Sequence, residues 1–330
     1  MRGLLEYRVP DQYYVQKLNR ILCEERASEP RHPDLFRSVS DEFWLWLHTE
    51  GIRVNPRLRD LLPGMPDEHT QLQANGLSGD HALRDGLLVY RLFKTIVEGL
   101  IGDLGSCQAI LDFGCGWGRV TRFFLRDIEP DKVWGVDHYD KAIETCHRTN
   151  HWHNFRHIDP FPPTAFASST FDLIFAYSVF SHLSEPAQLA WVEEFARLLR
   201  PGGVLIATTW DRELIVRCGT LRSQSPALPS FQNHLPTMFN DTDHWLATYD
   251  NGGYCFDTSV ESYGSVSSYL GETCIPKQYV LKHWTKHLQL FDFVDDRTVC
   301  PQNVIVATQS APAPTTAPFA TSPEGTSSRE

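Results

Sequence analysis

The sequence lacks a long apolar run and an excess of basic residues. No stretch approaches about 20 consecutive apolar residues, so no transmembrane helix is predicted. The first eight residues contain no apolar segment of the length a signal peptide needs. Lysine and arginine number 30 against 41 acidic residues, which gives a net charge of −11. General nucleic-acid-binding proteins usually carry a basic face, so we predict no nucleic-acid partner and no membrane span.

Cysteine is present, but not in the spacing of a metal site. The eight cysteines are scattered without a C-x-x-C pair, which disfavours a zinc site and a dense disulfide framework. Four histidines (His147, His151, His153 and His157) lie close together, but no cysteine or carboxylate spacing completes a recognised ligand set. We therefore expect a metal-independent protein in a reducing compartment, the cytoplasm.

Alternating strand and helix patterns favour an α/β fold. The 330 residues, 42% of them hydrophobic, are enough for one large domain or for a core domain with additions. Strands separated by helices imply a mostly parallel sheet of the doubly wound, Rossmann-like type. The predicted strands are 109–112, 132–136, 155–158, 172–177, 204–209, 288–294 and 303–308. The predicted helices of this part are 81–104, 141–148, 186–199 and 276–287.

The most informative stretch is the glycine turn after the first of these strands. Ile110 and Leu111 supply the apolar run and Asp112 ends it, and glycines then occupy every second position from 114 to 118. This G-x-G-x-G spacing differs from the G-x-G-x-x-G of dinucleotide sites. The second strand ends in Asp137, roughly 20 residues later, where an acidic side chain can take two ribose hydroxyls. Together the two signals predict a nucleoside ligand.

Four motifs in this part of the chain resemble those of class I S-adenosylmethionine-dependent methyltransferases. Residues 112–119 (DFGCGWGR) resemble the first motif of that family, and Asp137 matches its ribose-binding acidic residue. Residues 171–176 (FDLIFA) resemble the fourth strand, and residues 199–206 (LRPGGVLI) resemble the turn into the fifth. The resemblance covers about 85 to 210. It implies a seven-stranded sheet whose last strand is antiparallel, and S-adenosylmethionine as the cofactor.

The resemblance also implies which residues surround the cofactor. The amides of the glycine turn and Asp112 would hold the methionine portion, Asp137 the ribose, and Asp159 would lie near the adenine. Pro160 has no N–H, so an amide donor to the adenine would have to come from elsewhere. The complete predicted set of cofactor-binding residues is Asp112, Gly114, Cys115, Gly116, Gly118, Asp137, His138, Asp159, Tyr177 and Ser178.

His182 is the candidate general base. It lies just after the fourth strand, at the sheet edge where the transferred methyl group would sit. The alternative is a histidine that caps or packs the following helix. Adenine methyltransferases of nucleic acids carry Asn/Asp-Pro-Pro-Tyr/Phe after the fourth strand, whereas this chain has Tyr-Ser-Val-Phe, and the paired-glutamate loop of protein arginine methyltransferases is missing. Residues 177–183 and 269–279 look like bacterial methyltransferases of glycans and small molecules.

These observations predict a metal-independent methyltransferase of a small-molecule acceptor, such as a sugar or a secondary metabolite, acting at a hydroxyl. A non-catalytic methyltransferase-like scaffold and an NAD-type oxidoreductase stay open as alternatives, and no oligomeric state is predicted. We predict an N-terminal helical extension at 1–80 and a methyltransferase domain at 81–309. Within that domain an acceptor-side insertion spans 211–285, because so long a connection in a compact domain is usually functional. An Ala-, Pro-, Thr- and Ser-rich disordered tail is predicted at 310–330.

Overall fold

A computed structural model describes residues 11–25, 35–152, 154–224, 233–258 and 268–310. The first ten residues of the predicted N-terminal extension lie outside these ranges, as does the predicted tail apart from Ser310. Within them a seven-stranded sheet lies between helices, which confirms the predicted α/β fold class. The domain boundaries near 80, 211 and 285 stay predictions.

Nine strands form two sheets within the described residues. In chain order they are β1 Ile110–Phe113, β2 Val133–Asp137, β3 Phe155–His157, β4 Phe171–Ala176, β5 Leu199–Thr209, β6 Cys255–Asp257, β7 Glu272–Cys274, β8 Gln289–Val294 and β9 Asn303–Thr308. The large sheet has the order β3-β2-β1-β4-β5-β9-β8, and β6 pairs with β7 separately. Strands β1 to β5 are parallel, and β9 runs antiparallel to both of its neighbours. The predicted antiparallel last strand is therefore confirmed.

Strand β1 lies inside the sheet, between β2 and β4. Leu111 is paired with Trp134 of β2 on one side and with Ile174 of β4 on the other. The strand order reverses between β1 and β4, and in open α/β sheets ligands bind outside the carboxyl ends of the strands at such a switch point. This topology brings the predicted site residues after β1, β2 and β4 to one edge.

The two faces of the sheet belong to two hydrophobic clusters, as the alternation of side chains along a strand requires. Ile110 and Phe175 pack with the first cluster, and Leu111 and Ile174 pack with the second. The long helix at 79–101 covers the first face with Tyr90, Phe93 and Val97 among its buried residues. The helix at 185–198 covers the second face. Strands buried on both faces account for the continuous apolar runs in the sequence.

Twelve α-helical segments lie in the part of the chain that the structure describes. They are α1 Asp11–Glu25, α2 Asp41–Trp46, α3 Ile52–Val54, α4 Leu58–Leu61, α5 Glu68–Asn75, α6 Gly79–Ile101, α7 Thr121–Phe124, α8 Asp140–Thr149, α9 Glu185–Leu198, α10 Arg212–Gln224, α11 Thr242–Asp250 and α12 Lys277–His283. In the same ranges no helix combines the length and the apolar character needed to cross a bilayer.

The bounds differ from the predicted ones mainly at the fifth strand. Prediction placed its start at residue 204, because a Pro-Gly-Gly sequence usually marks a turn. In the structure β5 begins at Leu199, which pairs with Phe171, and the register shifts before Leu173 pairs with Val204. An irregularity in the ladder thus absorbs the turn residues, and the strand continues through them.

The N-terminal helices are joined to the sheet domain by buried aromatic side chains and by ion pairs with α6. Ser40 caps α2 by accepting a hydrogen bond from the Phe43 amide, and the aromatic and aliphatic side chains of residues 43–46 are buried. Arg91 of α6 donates to the carboxylates of Asp41 (2.5 Å) and Glu42 (2.6 Å). The aromatic cluster is therefore core material, and Arg91 is an ion-pair partner of the extension.

The predicted insertion packs on the carboxyl ends of β4 and β5. Helices α10 and α11 share a third hydrophobic cluster with β6 and β7. The Tyr254 hydroxyl donates to the main-chain oxygen of Leu183 (2.8 Å), and the Thr209 hydroxyl donates to that of Thr273 (3.2 Å). These contacts hold the described part of the insertion against the loop that carries His182.

Two glycines of α6 provide a matched test of this packing. A Cβ on Gly86 would lie 2.9 Å from the main-chain oxygen of Arg119 and 3.0 Å from the Phe123 ring, whereas one on Gly99 would meet nothing within 4 Å. We expect Gly86→Ala to lower the free energy of unfolding by about 1–3 kcal/mol through overpacking. Gly99→Ala should raise it by up to about 1 kcal/mol through helix propensity. Urea unfolding midpoints measure both changes, and equal shifts would contradict the close packing of α6 on the turn.

Candidate active site

Asp112 is the penultimate residue of β1, beside the switch point, and is almost completely buried. The hydroxyl of Thr121 donates a hydrogen bond to its carboxylate. Burial raises the pKa of Asp112 to about 7, and the nearby carboxylate of Asp137 adds to this rise, against the opposing effects of Thr121 and Arg119. With its pKa raised to about 7, the Asp112 carboxyl group near the carboxyl end of β1 carries a charge that a bound cation would stabilise.

The glycine turn after Asp112 needs its glycines for backbone conformation. Gly114, Gly116 and Gly118 have φ values of 76°, 54° and 78°, in the left-handed region that side chains disfavour. A Cβ on Gly114 would also lie 2.3 Å from a methyl carbon of Val179, so the turn packs closely against the loop after β4. A Cβ on Gly116 would meet nothing within 4 Å. The turn is therefore open at Gly116, where a ligand portion could approach the main chain.

Most amide donors of the turn are already used within the protein. The amides of Gly114 (2.8 Å) and Cys115 (3.0 Å) donate to the Val136 oxygen, and the amide of Gly118 donates to the Cys115 oxygen (2.9 Å). The thiol of Cys115 lies in a buried cluster with Cys146, and burial raises its pKa well above the ordinary range. The structure thus gives Cys115 a packing role in the turn, and its contact with a cofactor stays a prediction.

Asp137 lies beside the turn, as the sequence predicts. One carboxylate oxygen accepts a hydrogen bond from the Gly116 amide, and the other accepts one from the Tyr139 amide, both at 2.9 Å. The carboxylate is therefore held in a fixed orientation between the ends of β1 and β2. Parallel pairing of these strands brings together two residues that are 21 positions apart.

Aromatic rings border the edge next to Asp137. The His138 ring lies edge-on to Tyr269 with the ring centroids 5.8 Å apart, and Tyr269 contacts Phe161 at 6.1 Å. Burial lowers the pKa of His138, the neighbouring His157 lowers it further, and Asp137 opposes both effects. Asp159 is exposed just past β3. Prediction from the sequence did not assign Tyr269 or Phe161 to the site. Nothing local places Tyr269 of the inserted segment beside Phe161, which lies in the loop after β3.

Tyr177 and Ser178 follow β4 on the other side of the switch point. Ser178 has a φ of 58°, and its amide donates to the Thr208 hydroxyl (2.7 Å). Gln302 donates to the Ser178 hydroxyl (3.0 Å) and accepts from Thr208 (2.6 Å), so β5 and the segment before β9 hold the loop through hydrogen bonds. Burial raises the pKa of the half-buried Tyr177, whose ring lies 5.6 Å from the Arg119 guanidinium. Tyr177 and Ser178 thus border the crevice from the β4 side.

His182 is paired with a carboxylate that prediction from the sequence did not assign. Its Nδ1 lies 3.1 Å from the Gly271 oxygen and 3.3 Å from Oε1 of Glu272. The other carboxylate oxygen of Glu272 accepts a hydrogen bond from Trp210 Nε1 at 2.8 Å. Burial lowers the pKa of His182, but the charge of Glu272 and its hydrogen bond prevail, so the net shift is upward.

The four histidines noted in the sequence do not form a metal-binding group in the described residues. His151 lies 2.6 Å from the main-chain oxygen of Arg59, and His157 lies 3.0 Å from that of His138. His153 lies outside the described residues. Within those residues, no three His, Cys, Asp or Glu side chains form a group that could hold a metal ion.

Comparison with known proteins identifies the segment that carries this site. Residues 110–203 match a family model described as a methyltransferase domain. This segment is an S-adenosylmethionine-dependent methyltransferase domain. The match runs from β1 into β5, so it contains the glycine turn, Asp137 and the loop after β4.

One curated relative of this chain is the malonyl-[acyl-carrier protein] O-methyltransferase of Hahella chejuensis (strain KCTC 2396). It is 29% identical over 116 residues, which cover 32% of this chain and 37% of the relative. The chain thus spans little more than a third of that relative's length.

Solved structures with a similar fold include the PH0226 protein of Pyrococcus horikoshii OT3. It is 16% identical in sequence. The match covers 79% of this chain and 99% of the PH0226 chain, with a TM-score of 0.45. The sugar N-methyltransferase KedS8 of Streptoalloteichus sp ATCC 53650 is 14% identical in sequence. Its match covers 67% of this chain and 86% of the KedS8 chain, with a TM-score of 0.42.

The raised pKa of Asp112 predicts a pH-dependent affinity for the cofactor. S-adenosylmethionine is cationic in its methionine portion, so we expect binding to weaken below pH 7, where Asp112 takes up a proton, by up to about tenfold per pH unit. Asp112→Asn should remove this component of the pH dependence, while Asp131→Asn, on an exposed carboxylate, should retain it. Calorimetric titration on both sides of neutrality measures the difference. Identical pH profiles for wild type and Asp112→Asn would show that the charge of Asp112 does not contribute to cofactor binding.

Proposed function

We propose that this chain transfers a methyl group from S-adenosylmethionine to a hydroxyl group of a small-molecule acceptor, with His182 as the general base. The observation that carries the proposal is the orientation of His182. Its Nδ1 faces the Gly271 oxygen and Glu272, and its Nε2 has no hydrogen-bond partner among the described residues. A neutral ring with the proton on Nδ1 has its lone pair on Nε2, as a general base needs.

The residues at the switch point fit a nucleoside cofactor with a cationic amino-acid portion. Asp112 would face the methionine portion, Asp137 the ribose, and the open side of Gly116 leaves the room that a Cβ would fill. When bound, the cofactor supplies an activated methyl group: the acceptor oxygen bonds to the methyl carbon, and the electron pair of the broken carbon–sulfur bond stays on sulfur.

The protein's own contribution is alignment and proton transfer. His182 lies in the loop after β4, and Asp112 lies at the end of the adjacent β1. A hydroxyl placed between them would give its proton to Nε2 of His182 as it attacks. The described part of the insertion packs against the loop that holds His182. We therefore assign the acceptor site to the space between the insertion and the sheet edge. The relative named as an O-methyltransferase supports oxygen as the methylated atom.

Removal of the Asp137 carboxylate tests the cofactor assignment. We expect Asp137→Ala to weaken binding of S-adenosylmethionine and S-adenosylhomocysteine by about 10- to 100-fold, because hydrogen bonds from two hydroxyls to a charged group are lost. Calorimetry with both nucleosides and with NAD measures this, and Asp131→Ala is the matched control. Asp137→Asn retains acceptor capacity for the Gly116 amide and separates a loss of contact from a distorted turn.

The same titration tests the alternatives. If the protein bound NAD but did not bind S-adenosylmethionine, the result would contradict the proposal and favour an oxidoreductase. Binding of the cofactor without turnover on any acceptor would favour the scaffold alternative.

Substitution of His182 tests the chemical step. With S-adenosylmethionine labelled in its methyl group and a panel of sugar, phenol, carboxylate and amine acceptors, we expect transfer to hydroxyl compounds. His182→Gln should lower kcat by about 10²- to 10⁴-fold, which is the usual contribution of a general base. Cofactor affinity should stay unchanged, and the exposed His287→Gln should behave as wild type. Transfer only to amines, at a rate that does not depend on His182, would contradict both the acceptor atom and the base.

A further inference from the structure

We propose that Glu272, contributed by the inserted segment, is a positioning residue that holds His182 with Nδ1–H toward its carboxylate and Nε2 toward the acceptor. This inference rests on the proposed function, because it assigns a role to the partner of the proposed base. It also assigns the insertion a direct part in the chemistry, beyond that of a cover over the acceptor.

Both carboxylate oxygens of Glu272 have a defined partner. Oε1 lies 3.3 Å from His182 Nδ1, and Oε2 accepts from Trp210 Nε1 at 2.8 Å. The Glu272 side chain is 9% exposed, whereas that of His182 is 31% exposed. The carboxylate is thus fixed on the inner side of the ring, and the ring keeps an accessible side.

Main-chain hydrogen bonds between the Glu272 segment and the His182 loop place Glu272 beside the histidine. The Gly271 amide donates to the His182 oxygen, and the Thr273 amide donates to the Ser181 oxygen, both at 2.8 Å. The side chain of the residue between them is therefore held beside the histidine by backbone geometry. Gly271 also packs against β6, because a Cβ there would lie 2.3 Å from the main-chain oxygen of Asp257. These two main-chain hydrogen bonds, one on each side of Glu272, fix its position relative to His182.

The chemistry of a general base explains what this arrangement supplies. The Glu272 carboxylate and the Gly271 oxygen, both on the Nδ1 side, select the tautomer with its lone pair on Nε2 and hold the ring in place. When Nε2 takes the acceptor proton, the ring becomes a cation, and the buried carboxylate stabilises that charge without reorganisation. Glu272 thus acts through His182 and does not need to touch the acceptor.

Few other ionisable groups in the described ranges face this pair. The thiols of Cys218 on α10 and Cys274 on β7 lie near Glu272, and burial raises the pKa of both, so they stay neutral. The carboxylate of Asp211 is paired with Arg297 at 2.9 Å. Glu272 is therefore the charge that opposes the effect of burial on the pKa of His182. When this charge is removed, the imidazole should become less basic.

The test is Glu272→Gln, which retains the shape of the side chain and its hydrogen-bond acceptor. We expect NMR titration of the His182 ring, assigned among the 14 histidines by its loss in His182→Gln, to show a pKa lower by about one pH unit or more. On the acceptor that gives turnover, the acid limb of kcat/KM should move to lower pH by the same amount. The value of kcat should fall by about tenfold or more. Glu213→Gln, on an exposed carboxylate of α10, should leave both profiles unchanged.

The outcomes separate this inference from the proposed function. An unchanged His182 titration in Glu272→Gln would overturn the role of Glu272, even if His182→Gln abolishes transfer. A shifted titration without a change in the pH–rate profile would contradict His182 as the base while retaining the ion pair. Trp210→Phe is a second variant, since it frees one oxygen of Glu272 and retains its charge. It should lower kcat without moving the acid limb, and an effect equal to that of Glu272→Gln would indicate structural damage.

Discussion

Parallel pairing of β1 with both β2 and β4 is the constraint on which the site depends. It aligns the carboxyl ends of three strands, so Asp112, Asp137 and Tyr177 lie at the same edge of the sheet although they are far apart in sequence. The glycine turn can then fold back onto the end of β2, where its amides reach the Val136 oxygen and the Asp137 carboxylate. A shift of one residue in this register would turn the side chains of β1 to the opposite face and separate the turn from its acidic partner.

Prediction from the sequence succeeded where the signal is local. The strand, the glycine turn and the acidic end of the next strand follow each other within one βαβ unit, so spacing alone places Asp137 near Gly116. Hydrophobic periodicity likewise placed helix α6 within a few residues of its observed bounds, Gly79–Ile101. The start of β5 was mispredicted because the ladder continues through a Pro-Gly-Gly sequence, and a ladder irregularity depends on the partner strand rather than on the residues themselves.

The contacts that complete the site are long-range and have no local signature. Glu272 follows His182 by 90 positions, and Tyr269 reaches His138 across more than a hundred residues. Neither residue type stands out in its own stretch, because the pairing of residues 270–273 with the loop after β4 depends on how the insertion folds. In open α/β folds the core topology fixes the cofactor edge, while insertions after the fourth and fifth strands decide the surroundings of the acceptor. The acceptor half of a site is therefore the harder half to predict.

Burial of Asp112 has an energetic consequence for the protein without ligand. Its pKa is raised from an ordinary value of 3.8 to about 7, so between these values the folded state binds more protons than the unfolded state. Folding stability therefore falls as the pH rises through this window, since the desolvated carboxylate must ionise in the folded state. A bound cation would offset that cost, and the same carboxylate that destabilises the free protein near neutral pH would then favour the complex. The buried carboxylate near the end of β1 thus lowers folding stability in the free protein. A cationic ligand bound beside it would restore that stability.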